Sequence, residues 1–487
     1  MYKKFGLFSG IIVAILIFAI IDFGFNNESQ KIMASISALM AIWWISEAIP
    51  LAATSLVPLV LFPLTGLVSG SDTASSYINS TIFLFLGGFI IAIAMEEWDL
   101  HKRIALNLIT KFGKSPSTII LGFMISAGFL SMWISNTATA IMLLPIGMAI
   151  LRKVEKDFGE VNTRKFSISL MLSIAYACSI GGITTIIGTP PNLVFTRIYS
   201  ITFPDKPEIL FGQWIILILP ISIIMLGVVW FVLTRILYKV DKCVMIDNKV
   251  VKEEKKKLGS ISYEEKVVLI IFILTALLWI FRKEINIGFI IIPGWSSLFQ
   301  NPKYIDDGTI AIAMSLLCFF LPSKANKNSS ILTVSVFRRV PWEIILLFGG
   351  GFALAKGFVN SGLSTFIGNQ FSFLVNTPII ITIGFICFTI TFLTELTSNT
   401  ATSQIVLPIL AALGITIGIE PLLLMIPATI SASMAFMMPV ATPPNAIVFA
   451  SQRITILNMV KAGFIFNLIG VVVITFVMYY SIKIFLL

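Results

Sequence analysis

Histidine is almost missing: His101 is the only one in 487 residues. A single imidazole leaves no His-ligated metal centre and no Ser-His-Asp triad. Cysteine is sparse too. Cys178, Cys243, Cys318 and Cys387 are scattered without a CxxC pair, so neither a disulfide framework nor a zinc site is indicated. Charge is the third shortage. Only 12% of residues are Asp, Glu, Lys or Arg, against ~25% in soluble domains. FGKS at 112–115 looks like the end of a Walker A loop, but the glycine required upstream falls at Leu108. No P-loop, and hence no ATP-driven pump, is indicated.

What is present is apolar. The chain is 57% hydrophobic, with a mean hydropathy of +0.98. Apolar runs recur, clearly at 5–21, 36–64, 212–237, 267–281, 310–321 and 464–480. At ~20 residues per crossing they imply roughly ten to twelve spans. The runs are continuous rather than alternating, so the spans are helices and not barrel strands. The start, MYKKFGLFSGIIVAILIFAIIDF, has the basic and apolar parts of a signal peptide. It lacks a small-x-small cleavage site before Asp22, so 1–30 reads as a retained membrane helix.

The net charge is +10. The basic residues concentrate between spans, which is the positive-inside pattern and not a nucleic-acid surface. The sizeable polar insert, 239–266, reads as a cytoplasmic connection, with its linker at 239–263. Lys3, Lys4, Lys324, Lys327, Arg338 and Arg339 then fall on the same side.

The linker separates two similar halves, 31–238 and 264–487. SNTATAIMLLPI at 135–146 answers SNTATSQIVLPI at 398–409, an interval of 263 residues. FLSMWISNTAT (129–139) aligns with FLTELTSNTAT (392–402) without a gap. Upstream, FLFLGGF at 83–89 answers LLFGGGF at 346–352. Downstream, GTPPN at 188–192 answers ATPPN at 441–445, an interval of 253 residues.

Polar triplets deep in apolar segments must be satisfied in a low-dielectric medium. SNT followed by a helix-forming run reads as a break in a membrane helix, with Ser135 or Asn136 capping the next half-helix near Ala138. Pro190–Pro191 and Pro443–Pro444 forbid helix just before them and make a second break in each half. Broken helices paired by an internal repeat are the pattern of secondary transporters. Half-helix N-termini suit an anion, and unwound carbonyls suit a small hard cation. The glycines at 87–88 and 349–351 fit turns of re-entrant hairpins.

With these motifs in hand, the chain resembles the divalent anion/sodium symporter family, carriers of dicarboxylates, citrate or sulfate. ASMAFMMPVATPPNAIV (432–448) fits the family signature at Ser433, Phe436, Pro439, Asn445 and Val448. The resemblance implies an all-α integral membrane protein of the lipid bilayer. It would have an inverted repeat with about eleven spans and two re-entrant hairpins. It also implies a homodimer whose transport domain moves against a scaffold like an elevator. Two Na+ sites are implied, one at Ser131, Ser135, Asn136 and Gly188. The other is at Thr394, Thr397, Asn399 and Ala441. The substrate would meet Asn136, Thr137, Thr189, Asn399, Thr400, Thr442 and Pro443. Thr184 departs from the family, where glycine is frequent.

No Arg or Lys lies in SNTAT, GTPPN or ATPPN. A dianion would be held by hydroxyls, amides and helix ends, with mobile cations balancing its charge. Moving a dianion inward costs ~2.3 kcal/mol per charge per 100 mV. Two co-transported sodium ions cancel that, and a third makes uptake potential-driven. The expected function is sodium-coupled symport of a C4-type dicarboxylate such as succinate, malate or fumarate. Sodium-independent exchange of dicarboxylates remains open, as does a citrate or sulfate carrier. A membrane enzyme lacks its catalytic cluster, and a channel fits paired breaks poorly.

Four other polar features read as bystanders. Lys356 is expected to snorkel to the interface. Glu47 and Glu395 read as buried acids, Glu395 supporting a sodium site without ligating it. The stretch 96–114 reads as an amphipathic interfacial arm, with His101 facing water.

Overall fold

The computed structural model describes residues 2–20, 27–112, 115–240, 249–286, 291–326, 329–371 and 374–485. Lys327, Cys243 and linker residues 241–248 lie outside them. Among the described residues nearly everything regular is helical, apart from a two-stranded ribbon pairing Ile285–Asn286 with Ile291–Ile292. Eight helices are long and apolar enough to cross a membrane, and shorter apolar helices accompany them.

Length sorts the helices. Pro116–Ser131 has 16 residues and Ile379–Leu393 has 15. At 1.5 Å per residue, each falls short of a ~30 Å hydrocarbon core. Each stops at the turn before SNTAT and is followed by a second helix, Asn136–Phe158 or Asn399–Thr416. These pairs are the two hairpins. Glu160–Gly182 with Pro190–Thr202, and Leu422–Ser431 with Pro443–Phe449, are two crossings broken in mid-course. The remaining helices are continuous crossings or short surface pieces. One crossing, Leu51–Leu64, is interrupted near Ser55 and Leu56.

Local chemistry places these boundaries. Ser115 accepts from Thr118 N with Pro116 at the first helical position, and Ser262 and Asp306 cap their helices in the same way. The prolines of both TPPN segments open helices where a missing N–H costs nothing. The two halves meet through aromatics. Tyr176, on the first broken helix, packs edge-on against Phe436 at 5.0 Å and Phe466 at 5.6 Å.

Several expectations are corrected here. The Gly-rich stretches are not hairpin turns. Gly87 and Gly88 lie inside the continuous helix Ser80–Glu97, and Gly349–Gly351 lie inside Trp342–Ser361. They allow helices to touch: a Cβ on Gly87 would sit 2.5 Å from the Ala311 carbonyl carbon, and one on Gly350 2.6 Å from Ser55 O. The amphipathic stretch forms the helix Leu100–Lys111, whose apolar side is buried on Pro116–Ser131. Its Arg103 pairs with Glu265 at 2.6 Å and donates to the carbonyls of Leu258, Gly259 and Ser260. His101 is buried and its Nδ1 lies 3.0 Å from Met95 O, so it does not face water. Glu47 is exposed, and it ends the Glu28–Ser46 helix in a left-handed conformation.

Gly87→Val and Gly350→Val each force a side chain into facing backbone. Overpacking of this kind costs ~1–3 kcal/mol or more. Both variants should melt at lower temperature than wild type in detergent. Gly66→Ala, where a Cβ meets nothing within 4 Å but φ is +72°, should cost less. Equal melting temperatures for all four proteins would contradict the close packing.

Candidate functional site

The breaks converge. A cavity of 740 Å³ is lined from the first half by Ser135, Asn136, Thr137, Gly188 and Thr189. From the second half it is lined by Thr397, Asn399, Thr400, Ala441, Thr442 and Pro443. Of the residues expected at the site, only Ser131 and Thr394 are not on its wall, and both are fully buried. The fold thus brings onto one wall residues expected from the family resemblance that stand up to 308 positions apart, from Ser135 to Pro443.

Helix polarity gives the cavity its character. Asn136, Pro190, Asn399 and Pro443 each begin a helix and each line it. The first turns of the two SNT helices offer N–H groups to this space, and the two TPPN helices, whose prolines carry no N–H, add the positive ends of their dipoles; together these favour an anion there. Helices also end at the breaks themselves, at Ser131, Gly182, Leu393 and Ser431. Their last carbonyls lack intrahelical partners and favour a cation. Lys3, Glu47 and Glu395 are the charged residues of the wall, and Lys3 and Glu47 are exposed.

The first cation position fits a small hard ion. Ser131 Oγ and Asn136 Oδ1 are buried without a hydrogen-bond partner, and such groups call for an explanation. A Cβ on Gly182 would lie 2.6 Å from Asn136 Oδ1, and one on Gly188 would lie 2.9 Å from Ser131 O. Neutral oxygens crowd the place, as sodium prefers. In the second half the same oxygens bond one another. Thr394 Oγ1 lies 2.7 Å from Asn399 Oδ1 and 2.9 Å from Ala432 O. Thr397 is tied within its turn, to Leu393 O at 3.0 Å and Thr402 Oγ1 at 2.6 Å.

The caps differ between halves. Ser135 accepts from Ala138 N at 3.1 Å, as its sequence anticipates. Ser398 makes no such bond. Thr442 accepts from Asn445 N at 3.4 Å, and Thr189 makes no side-chain cap. Thr184, the departure from the family pattern, bonds Ser222 Oγ at 2.8 Å and so ties the first break to the next crossing. Lys356 is not on the cavity wall; its Nζ lies 3.2 Å from Asp72 O and 3.4 Å from Asp72 Oδ1.

A family model described as the sodium:sulfate symporter transmembrane region matches residues 3–487. The chain belongs to that family. It is therefore a multi-pass membrane transporter and not an enzyme. Relatives within reach include the sodium-dependent dicarboxylate transporter SdcS of Staphylococcus saprophyticus, 41% identical over 98% of this chain and 91% of that protein. The transporter of the same name from Staphylococcus aureus is 44% identical over 93% of this chain and 86% of that protein. Solved structures share the fold at low identity. The Alcanivorax borkumensis YdaH transporter is 12% identical with a TM-score of 0.57, covering 93% of this chain and 98% of that one. Neisseria gonorrhoeae MtrF is 10% identical with a TM-score of 0.59, covering 98% of each.

Two features of this symporter-family site were hard to read from sequence. Trp133 packs on Phe272 at 5.1 Å and Phe211 at 6.2 Å. Its counterpart at the 263-residue interval, Leu396, is 74% exposed, so the two hairpin tips sit in unlike surroundings. Glu395 is buried, as expected, and its partners are specific. Oε1 accepts from Phe436 N at 2.7 Å, Met437 N at 2.8 Å and Asn467 Nδ2 at 2.8 Å; Oε2 accepts from Met438 N at 3.0 Å. The carboxylate thus pins the unwound segment leading to Ala441 and makes no contact requiring a cation. Glu395→Gln would turn an amide N–H₂ toward backbone donors. Leaving buried donors unpaired costs ~1–3 kcal/mol. The variant should melt at lower temperature, and an unchanged melt would contradict the clamp.

Proposed function

We propose that the chain imports a C4-type dicarboxylate together with sodium ions, two of them held at the paired cation positions. The convergence of four helix N-termini on one cavity, with unpartnered oxygens at Ser131 and Asn136 beside it, carries this reading. The names of the staphylococcal relatives support the substrate class and the ion. Thr137 and Thr400, one from each SNT, donate to the two carboxylates. Asn136 and Asn399 serve both substrate and cation, with Thr189, Thr442 and Pro443 completing the substrate wall. Ser135 and Gly188 complete the first sodium site, and Thr397 and Ala441 the second. The unlike surroundings of Trp133 and Leu396 suit an elevator that exposes one hairpin tip at a time. The chain, with its repeats at 31–238 and 264–487 joined by the linker 239–263, pairs with a second copy as a homodimer in the plasma membrane, with the N-terminus and linker in the cytoplasm.

Cation and dianion stabilise each other in a low-dielectric pocket, and linkage makes the effect reciprocal. Succinate binding to purified protein should therefore tighten as sodium rises. Thr137→Val or Thr400→Val should weaken it about tenfold or more, the cost of one hydrogen bond to a charged group. Ser131→Ala and Thr394→Ala should raise the sodium requirement yet leave affinity at saturating sodium near normal. Succinate affinity indifferent to sodium, with uptake only when a dianion waits on the far side, would establish exchange instead.

Orientation has its own test. Single cysteines replacing Lys257 and Glu28 should label from opposite sides of the membrane. Labelling of both from outside would overturn the topology.

A further inference from the structure

The asparagine closing each TPPN motif has no part in the site as built so far. Asn192 and Asn445 are both fully buried, and neither lines the cavity. Their side chains nevertheless do the same thing in both halves. Asn192 Nδ2 donates to Thr185 O at 2.7 Å and Ile183 O at 3.1 Å, and reaches Gly182 O at 3.4 Å. Asn445 Nδ2 donates to Met438 O at 3.0 Å and Ala435 O at 3.0 Å. The register is shared: Thr185 and Met438 stand seven residues before their asparagine, and Gly182 and Ala435 stand ten before. The enclosed sequences do not resemble each other, GGITTIIG at 181–188 against MAFMMPVA at 434–441. The amide is the common element.

The orientation of each amide follows from its surroundings. A flipped group would press Oδ1 against two or three carbonyl oxygens. As placed, Oδ1 of both residues is buried with no partner, so only the donor end is in use. That donor satisfies carbonyls which the unwound segment cannot pair along a helix. Each segment ends at Gly188 or Ala441, the residues that face a cation through backbone alone. Gly182, at the start of the first segment, also abuts Asn136 Oδ1. Thr185 adds a second tether, donating from Oγ1 to Met132 O and accepting from Gly188 N at 3.1 Å.

We infer that Asn192 and Asn445 are the positioning residues of the two cation sites, each side chain holding the unwound segment that aims the Gly188 or Ala441 carbonyl at the ion. The inference rests on the sodium-coupled reading above. It assigns these asparagines no contact with ion or substrate, and it makes cation affinity and cation discrimination depend on an amide donor outside the cavity wall. Partners that orient metal ligands typically cost 10–100-fold in metal affinity when removed.

The test uses the purified full chain with succinate, sodium and lithium as probes. Asn192→Ala, Asn445→Ala and the near-isosteric Asn192→Leu and Asn445→Leu all lack the donor. In each, the sodium concentration that half-maximally tightens succinate binding should rise about tenfold or more. The preference for sodium over lithium should fall, and succinate affinity at saturating sodium should return to within about twofold of wild type. An asparagine that only stiffens the fold would lower the melting temperature and leave ion preference alone. Where an asparagine variant yields no folded protein, Thr185→Val loosens the same segment and should show the same sodium shift. A sodium requirement and lithium preference like those of wild type in the folded variants would overturn the inference. So would equal loss of succinate affinity at all sodium concentrations. Wild-type succinate binding that ignores sodium would instead remove the two-site reading itself.

Discussion

A backbone crossing hydrocarbon must bond to itself, and a helix does this everywhere except at its ends. The structure moves four sets of ends into the middle of the molecule. Each break then faces the positive end of one helix and the carbonyl end of another, because a helix is polar. A single interruption is therefore amphoteric, with one end for an anion and one for a cation. The glycines that let helices touch, the prolines that stop them and the side chains that staple unwound segments all serve to keep those ends open. Without that support the exposed groups would be costly in a medium with no water to satisfy them.

The two halves meet this demand with different chemistry. At the position where the second half has Glu395, the first has Met132, whose backbone carbonyl accepts from Thr185. The second half brings a carboxylate within one residue of Thr394, and the first brings only neutral groups to Ser131. Small residues do the fitting in the first half, where Gly182 and Gly188 leave room for converging oxygens. In the second, Ala435 and Ala441 take those places. A duplicated motif has kept its shape and not its electrostatics, so the two proposed cation positions are unequal in field.

Much of this was legible in the chain. SNTAT and TPPN repeat at fixed intervals, and polar residues inside apolar runs have few bland explanations, so the breaks could be located before any contact was seen; the individual site residues came from the family resemblance. Glycine was read wrongly because it marks turns and close packing alike. Gly87 and Gly350 were assigned to turns when they are points of helix contact. His101 and Glu47 were placed on the wrong side of the surface for a related reason: burial is set by what packs against a residue, and Met95 O or a left-handed helix end leaves no periodic trace. The partners of Glu395 stand 41 to 72 residues away, beyond any local pattern. Asn192 and Asn445 sat inside a recognised motif, yet their use as donors depends on loops whose sequences differ.

The charged residues of the cavity wall, Lys3, Glu47 and Glu395, stand outside the positions expected to hold ion and substrate, which are built of hydroxyls, amides and main chain. Such groups neither gain nor lose protons near neutrality. The expected ion and substrate positions therefore contribute no titrating group of their own. In the proposed reading the charge state of the cargo matters there, since only its fully ionised form brings two charges to the paired helix starts.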